Sequence, residues 1–138
     1  MQNFTYCAPT KVIFGRGVES QIGTELRELG ATRVLVHFGG GSVKKTGLLD
    51  KVIASLTEAG LSYVEFGGVD PNPKLSFIHK GIELGRAEKV DFILAVGGGS
   101  VIDSAKAIGV GLVTGNDPWQ YASTGTHPER NEVFPVGV

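Results

Sequence analysis

Val90-Asp91-Phe92-Ile93-Leu94-Ala95-Val96-Gly97-Gly98-Gly99-Ser100-Val101-Ile102-Asp103-Ser104-Ala105-Lys106-Ala107-Ile108 decides the fold. Its first seven residues form a nearly unbroken apolar run of the kind that makes a strand buried on both sheet faces. From Val101 to Ile108 the apolar positions fall at helical spacing. Three glycines and a serine join the two segments. A tight turn from a buried strand into a helix aims free backbone N–H groups and the positive end of the helix dipole at one point. That point suits a phosphate.

The same punctuation recurs upstream. Arg33-Val34-Leu35-Val36-His37-Phe38 reads as a buried strand ending in Gly39-Gly40-Gly41-Ser42. Residues 61–66 read as another, ending in Gly67-Gly68-Val69-Asp70-Pro71-Asn72-Pro73. Helical spacing covers 18–29, 48–59 and 75–88, with Gly30 and Gly60 placed as stops. A further helix runs from the 97–100 turn to about residue 113. Residues 4–14, with Pro9 among them, predict an extended segment at a sheet edge, because proline cannot donate to a ladder. Residues 114–132 read as irregular surface structure, and 133–138 begin another strand. Strand and helix alternating at this spacing predict an α/β, Rossmann-like doubly wound parallel sheet with helices on both faces. A chain that ends on entering a strand is expected to be a fragment.

Composition narrows the function. The 138 residues are enough for one domain with its own core. A content of 41% hydrophobic and 20% charged residues is that of a soluble globular protein, and a net charge of −1 makes no case for nucleic acid or an anionic membrane. The single cysteine, Cys7, allows no internal disulfide and fits a reducing compartment. No apolar run approaches the roughly 20 residues of a spanning helix, and no signal peptide is legible. A cytoplasmic protein is the expectation.

In a parallel sheet the three glycine-rich turns lie along one edge, where open α/β folds bind ligands. Glycines also serve simply to make tight turns, but three such turns on one edge favour a ligand. Two familiar motifs are excluded. The lysines after Gly39 lack the preceding glycine of a P-loop, and Gly97 to Ile102 lacks the third glycine of the G-x-G-x-x-G fingerprint. Ser100 reads as an N-cap or a phosphate donor. Asp103 reads as a first-turn carboxylate on the helix dipole or as a ligand contact, and Lys106 as a solvated lysine. No acid follows Phe38, whereas Ser42, Lys44 and Lys45 lie close by. Folds that prefer NAD place an acid near the adenosine ribose, so this loop points to the 2′-phosphate of NADP. His37, His79 and His127 share no metal-ligand spacing and read as structural or surface residues. No catalytic constellation is legible. A nucleotide-sensing module without chemistry therefore remains open as an alternative.

These residues resemble the N-terminal domain of the iron-containing (group III) alcohol dehydrogenases, closest to the NADP(H)-dependent butanol dehydrogenase and aldehyde reductase branch. The match covers almost the whole chain, through Pro9-Thr10-Lys11-Val12-Ile13-Phe14-Gly15, residues 39–47, residues 66–73 and residues 95–106. Dehydroquinate synthase and glycerol dehydrogenase relatives share the glycine turn but not the other blocks together. The resemblance implies hydride transfer between a nicotinamide cofactor and a small primary alcohol or aldehyde. It implies that Gly97, Gly98, Gly99, Ser100 and Asp103 cradle the pyrophosphate. Gly40 and Ser42 would receive the 2′-phosphate, with Gly41 between them part of the cofactor site and Asn72 beside the cofactor. It also implies an active-site iron or zinc that polarises the substrate oxygen. The metal's ligands belong to a helical C-terminal domain absent from this chain, so residues 1–138 are expected to form a dinucleotide-binding domain, inactive alone. A homodimer is the expected assembly.

Overall fold

The structure, a computed structural model, describes residues 9–126 and 133–138. A 3-10 turn at Val18–Gln21 leads into α1 (Ile22–Glu28), followed by β1 (Arg33–Gly39), α2 (Ser42–Lys45) and α3 (Leu48–Glu58). Then come β2 (Ser62–Val69), α4 (Leu75–Ala87), β3 (Phe92–Val96), α5 (Gly99–Thr114), α6 (Pro118–Thr124) and β4 (Val136–Gly137). The four strands form one sheet in the order β2-β1-β3-β4, and every pairing is parallel. This is the expected doubly wound α/β arrangement.

Side-chain alternation along the strands divides the core in two. Val34, Val36 and Phe38 of β1 and Phe92, Leu94 and Val96 of β3 pack toward Leu49, Val52 and Leu56 of α3 and Leu26 of α1. Leu35, Ile93 and Ala95 face the opposite way, onto Ile78 and Ile82 of α4 and Val101, Ala105 and Ile108 of α5. The two middle strands are buried on both faces, which is why their sequences read as continuous apolar runs rather than alternating ones. Asp91 interrupts one of those runs for a local reason. Its carboxylate accepts the backbone N–H groups of Thr32 and Arg33, and its own N–H donates to the Arg33 carbonyl 3.0 Å away. Partial burial pushes this carboxyl up, but the hydrogen bonds from Thr32 and Arg33 outweigh it and hold the group below its ordinary range. Asp91 thereby ties the starts of β1 and β3 together, at the end of the sheet away from the glycine turns.

Three segments differ from the sequence expectations. Residues 9–14 take no place in the ladder, whose outer positions belong to β2 and β4, and Val12 and Phe14 stand exposed. Residues 4–8 of that expected segment, with Cys7, lie outside the described residues. The predicted helix over 18–29 is 3-10 in its first four residues. Within 114–132 a helix, α6, forms. The Asp117 side chain caps it by accepting from the Trp119 N–H at 2.9 Å, Pro118 occupies its first position, and Gly125 ends it in the left-handed conformation.

Helix packing against backbone demands the glycine at position 23. Gly23 of α1 lies against the backbone of α3, where an added Cβ would stand 2.0 Å from the Ser55 carbonyl oxygen. The Ser55 hydroxyl completes the contact, accepting from the Gly23 N–H and donating to the Ser20 carbonyl. Gly23→Ala is expected to lower stability by about 2 kcal/mol, although alanine is by itself the better helix former by about 1 kcal/mol. A urea melt with an unchanged or raised midpoint would contradict that packing.

Candidate functional site

β1 and β3 are neighbours in register, with Phe38 beside Val96. The chain leaves β1 to build β2 on one side of it and returns to build β3 on the other. The crevice where the strand order reverses lies between the turns that follow β1 and β3, the place where open α/β sheets take their ligands. Val101 holds the two turns together from beneath. A Cβ at Gly97 would stand 2.7 Å from its Cγ2, and one at Gly39 would stand 3.4 Å from the same atom.

Other glycines in these turns have no such reason. A Cβ at Gly40, Gly98 or Gly99 would meet nothing within 4 Å, and none of the three has a positive φ. At Gly41 the nearest group is the tip of Lys45, 3.7 Å away. The fold would admit side chains at all four positions. What their glycines preserve is bare backbone facing open space.

Gly98 is the N-cap of α5, in extended conformation and with no side-chain cap. Val101 and Ile102 donate to the Gly98 carbonyl, so the N–H groups of Gly99 and Ser100 are the helix's unpaired donors. This corrects two expectations. Ser100 is not the cap but the second helical residue, half-buried. Asp103 falls one turn too late to be a first-turn carboxylate, and its side chain is exposed, as is that of Lys106. In both cases the helix starts at Gly99, earlier than the glycine run suggests.

On the other side, Gly39, Gly40 and Gly41 line an open cavity of about 520 Å³ with Phe38, Lys44, Glu65, Gly67 and Gly68. Gly67 is required here, since a Cβ would come within 2.1 Å of the Phe38 ring. That close approach lets the ring form the cavity floor, and the Lys44 ammonium stands over it, 5.0 Å from its centroid. Ser42, expected beside this loop, is the exposed first residue of α2. Glu65 was not singled out from the sequence. It belongs to β2, opposite Val36 of β1, and only strand pairing reveals that an acid shares the cavity with the 39–41 loop. Asn72 occupies an exposed left-handed position (φ 58°) in the β2–α4 turn and lines neither this cavity nor a smaller one of about 150 Å³ formed by Asp70, Pro73, Lys74, Ser76, Phe77 and Lys80.

Beneath the turns lies a buried polar pair. His37 is fully buried in β1, its ring stacked 5.3 Å from Phe66, which in turn stacks on Phe77. Its Nδ1 lies 2.8 Å from the Phe66 carbonyl, which can only accept. Nδ1 therefore carries the proton, and Nε2 accepts from the hydroxyl of Ser104 on α5. Burial holds this imidazole below its ordinary pKa, against the opposing pull of the Phe66 carbonyl. The pair joins β1 to α5, the two elements that present the glycine turns. The sequence carries a signal for it, a lone histidine and a lone serine on otherwise apolar buried faces.

His79 pairs with Asp117 at 3.2 Å, tying α4 to the start of α6, and His127 lies outside the described residues. Among the described residues no three His, Cys, Asp or Glu side chains are placed to hold a metal ion, and no helix is long and apolar enough to cross a membrane.

Comparison with known proteins gives this geometry a lineage. The family model for iron-containing alcohol dehydrogenase matches residues 9–138. The chain belongs to that family. It is 45% identical over its full length to a probable NADH-dependent butanol dehydrogenase of Bacillus subtilis, covering 35% of that protein. It is 40% identical to an NADPH-dependent aldehyde reductase of Escherichia coli, with 99% of the chain aligned to 35% of the relative. Among solved structures, the NADH-dependent butanol dehydrogenase A of Thermotoga maritima superposes with a TM-score of 0.91 at 44% identity, over 99% of this chain and 34% of that one. The chain thus spans about a third of the length of these dehydrogenases.

In this dehydrogenase-family chain the buried His37 sets a pH dependence. On unfolding its imidazole takes up a proton near pH 6.5, while the buried ring resists protonation. The unfolded state then binds more protons, so stability is full above about pH 6.5 and falls as pH drops below it. Urea midpoints measured between pH 7.5 and 5.5 should show that decline, and His37→Gln should flatten it. An equal slope in both proteins would assign the decline elsewhere.

Proposed function

We propose that residues 1–138 form the NADP(H)-binding domain of a metal-dependent alcohol dehydrogenase or aldehyde reductase that acts on small primary alcohols or aldehydes. The observation that carries this reading is the bare backbone at Gly40, Gly98 and Gly99, which the fold itself does not require. A dinucleotide needs such surfaces, because its phosphates must approach main-chain N–H groups more closely than a Cβ allows. Family membership and the relatives named for NADH- and NADPH-dependent reactions support the same cofactor class.

In this reading Gly97, Gly98, Gly99 and Ser100 receive the pyrophosphate, with the unpaired N–H groups of Gly99 and Ser100 as donors and the α5 dipole behind them. Gly40, Gly41 and the Ser42 hydroxyl receive the 2′-phosphate, with the Lys44 ammonium as the nearby cation. Asn72 and Asp103 complete the set implied by the family. The cofactor supplies or takes up the hydride. The chain's own contribution is to fix the cofactor's phosphates and ribose, so that the nicotinamide end projects from the carboxyl edge of the sheet. The described residues do not fit the metal of the family, since no three His, Cys, Asp or Glu side chains among them are placed to hold one. A homodimer in the cytoplasm is part of the same proposal.

Two variants test it. Gly98→Val places a side chain in open space at an extended backbone position, so the urea midpoint should hold while NADPH affinity falls by about a hundredfold or more. Unchanged affinity in the folded variant would refute the pyrophosphate assignment. Ser42→Asp sets a carboxylate against the 2′-phosphate. It should weaken NADPH by about tenfold and leave NADH little changed. Calorimetric titrations in which both cofactors respond alike would refute the 2′-phosphate assignment.

A further inference from the structure

We infer that Glu65 is a specificity-determining residue, whose carboxylate acts on the 2′ position of the cofactor from the strand beside the 39–42 loop and restrains the preference for NADP. The inference rests on the proposed placement of the adenosine ribose at that loop and deepens it. Sequence reading finds no acid after Phe38, where a dinucleotide fold would carry one. The structure supplies an acid from the neighbouring strand. Glu65 pairs in register with Val36, two residues before Phe38, and its exposed side chain lines the same cavity as Gly39, Gly40, Gly41 and Lys44.

The charges in that cavity are uncommitted. Among the described residues neither Glu65 nor Lys44 has an ion-pair partner, and Lys44 rests instead on the Phe38 ring. A 2′-phosphate entering here meets one cation and one carboxylate, so the attraction of Lys44 is largely offset by Glu65. An unphosphorylated ribose meets no such repulsion, and its hydroxyls are donors that a carboxylate accepts. The cavity thus combines a loop that admits the 2′-phosphate with an acid that opposes it. Discrimination between the cofactors follows from their balance.

The test is the ratio of NADH to NADPH dissociation constants, measured by titration of the nucleotide fluorescence for the parent protein, Glu65→Gln and Glu65→Lys. Glu65 is exposed on an edge strand, so both variants are expected to fold, with circular dichroism as the check. Glu65→Gln should shift the ratio toward NADPH by about fivefold, a size typical of charges near a surface. Glu65→Lys should shift it further, and raised salt should shrink both shifts. A ratio unchanged in both variants, or moved toward NADH, overturns the role of Glu65. The Ser42→Asp variant separates the two levels. If it leaves the ratio unmoved, the ribose placement itself fails; if it moves the ratio while the Glu65 variants do not, only the present inference fails.

Discussion

Pairing of β1 with β3 is the constraint on which the remaining geometry depends. Five registered positions, from Val34 beside Phe92 to Phe38 beside Val96, bring two glycine-rich turns to the same level on adjacent strands. Val101, in the first turn of α5, packs under both, and the glycines at 39 and 97 leave room for it. A slip of one residue in this register would move the turns apart and turn each buried side chain of the shifted strand to the wrong layer, because strand side chains alternate with a period of two. Asp91 guards the register from the opposite end by accepting the N–H groups that open β1.

A second tie fixes the helix rather than the strand. Ser104 and His37 connect α5 to β1 through a hydrogen bond inside an apolar layer, where an unpaired polar group would be costly. With the imidazole neutral, the pair has one satisfying arrangement of protons, dictated by the Phe66 carbonyl. That uniqueness favours a single angle of α5 against the sheet, and hence a single direction for the N–H groups of Gly99 and Ser100. A purely apolar contact would hold the helix with similar strength but less directional control.

Much of this was legible beforehand, for reasons tied to particular residues. The apolar runs at 33–38 and 90–96 announce strands buried on both faces, and the glycines after them announce the turns. Helices 48–59 and 75–88 followed from spacing and end within a residue of their observed limits. The helix at 118–124 is not legible from periodicity although Asp117, Pro118 and Gly125 are its ordinary start and stop signals, because seven residues give too little periodicity to weigh against a polar surround. Asp103 lies a turn deeper in the helix than the glycine run suggests, because Gly99 already belongs to the helix. Of the expected extended segment at 4–14, the described part, 9–14, takes no place in the ladder, since nothing in a short extended run states which strand it would pair with.

The sequence by itself determined the main strands and turns, which depend on residues close together in the chain. It also determined the parallel sense of the sheet, which follows from the alternation of strand and helix, and the family, which follows from several motifs taken together. Tertiary structure alone decided which glycines the fold needs. Gly23 and Gly67 are pressed against groups distant in sequence and Gly97 against Val101 of the helix that follows it, whereas Gly40, Gly98 and Gly99 face empty space, and no spacing rule tells these cases apart. It alone also brought Glu65 into the cavity of the 39–41 loop and joined His37 to Ser104 across 67 positions of sequence. Charge and hydrogen bonding act through space, so partners so far apart along the chain become readable only once the strands that carry them are paired.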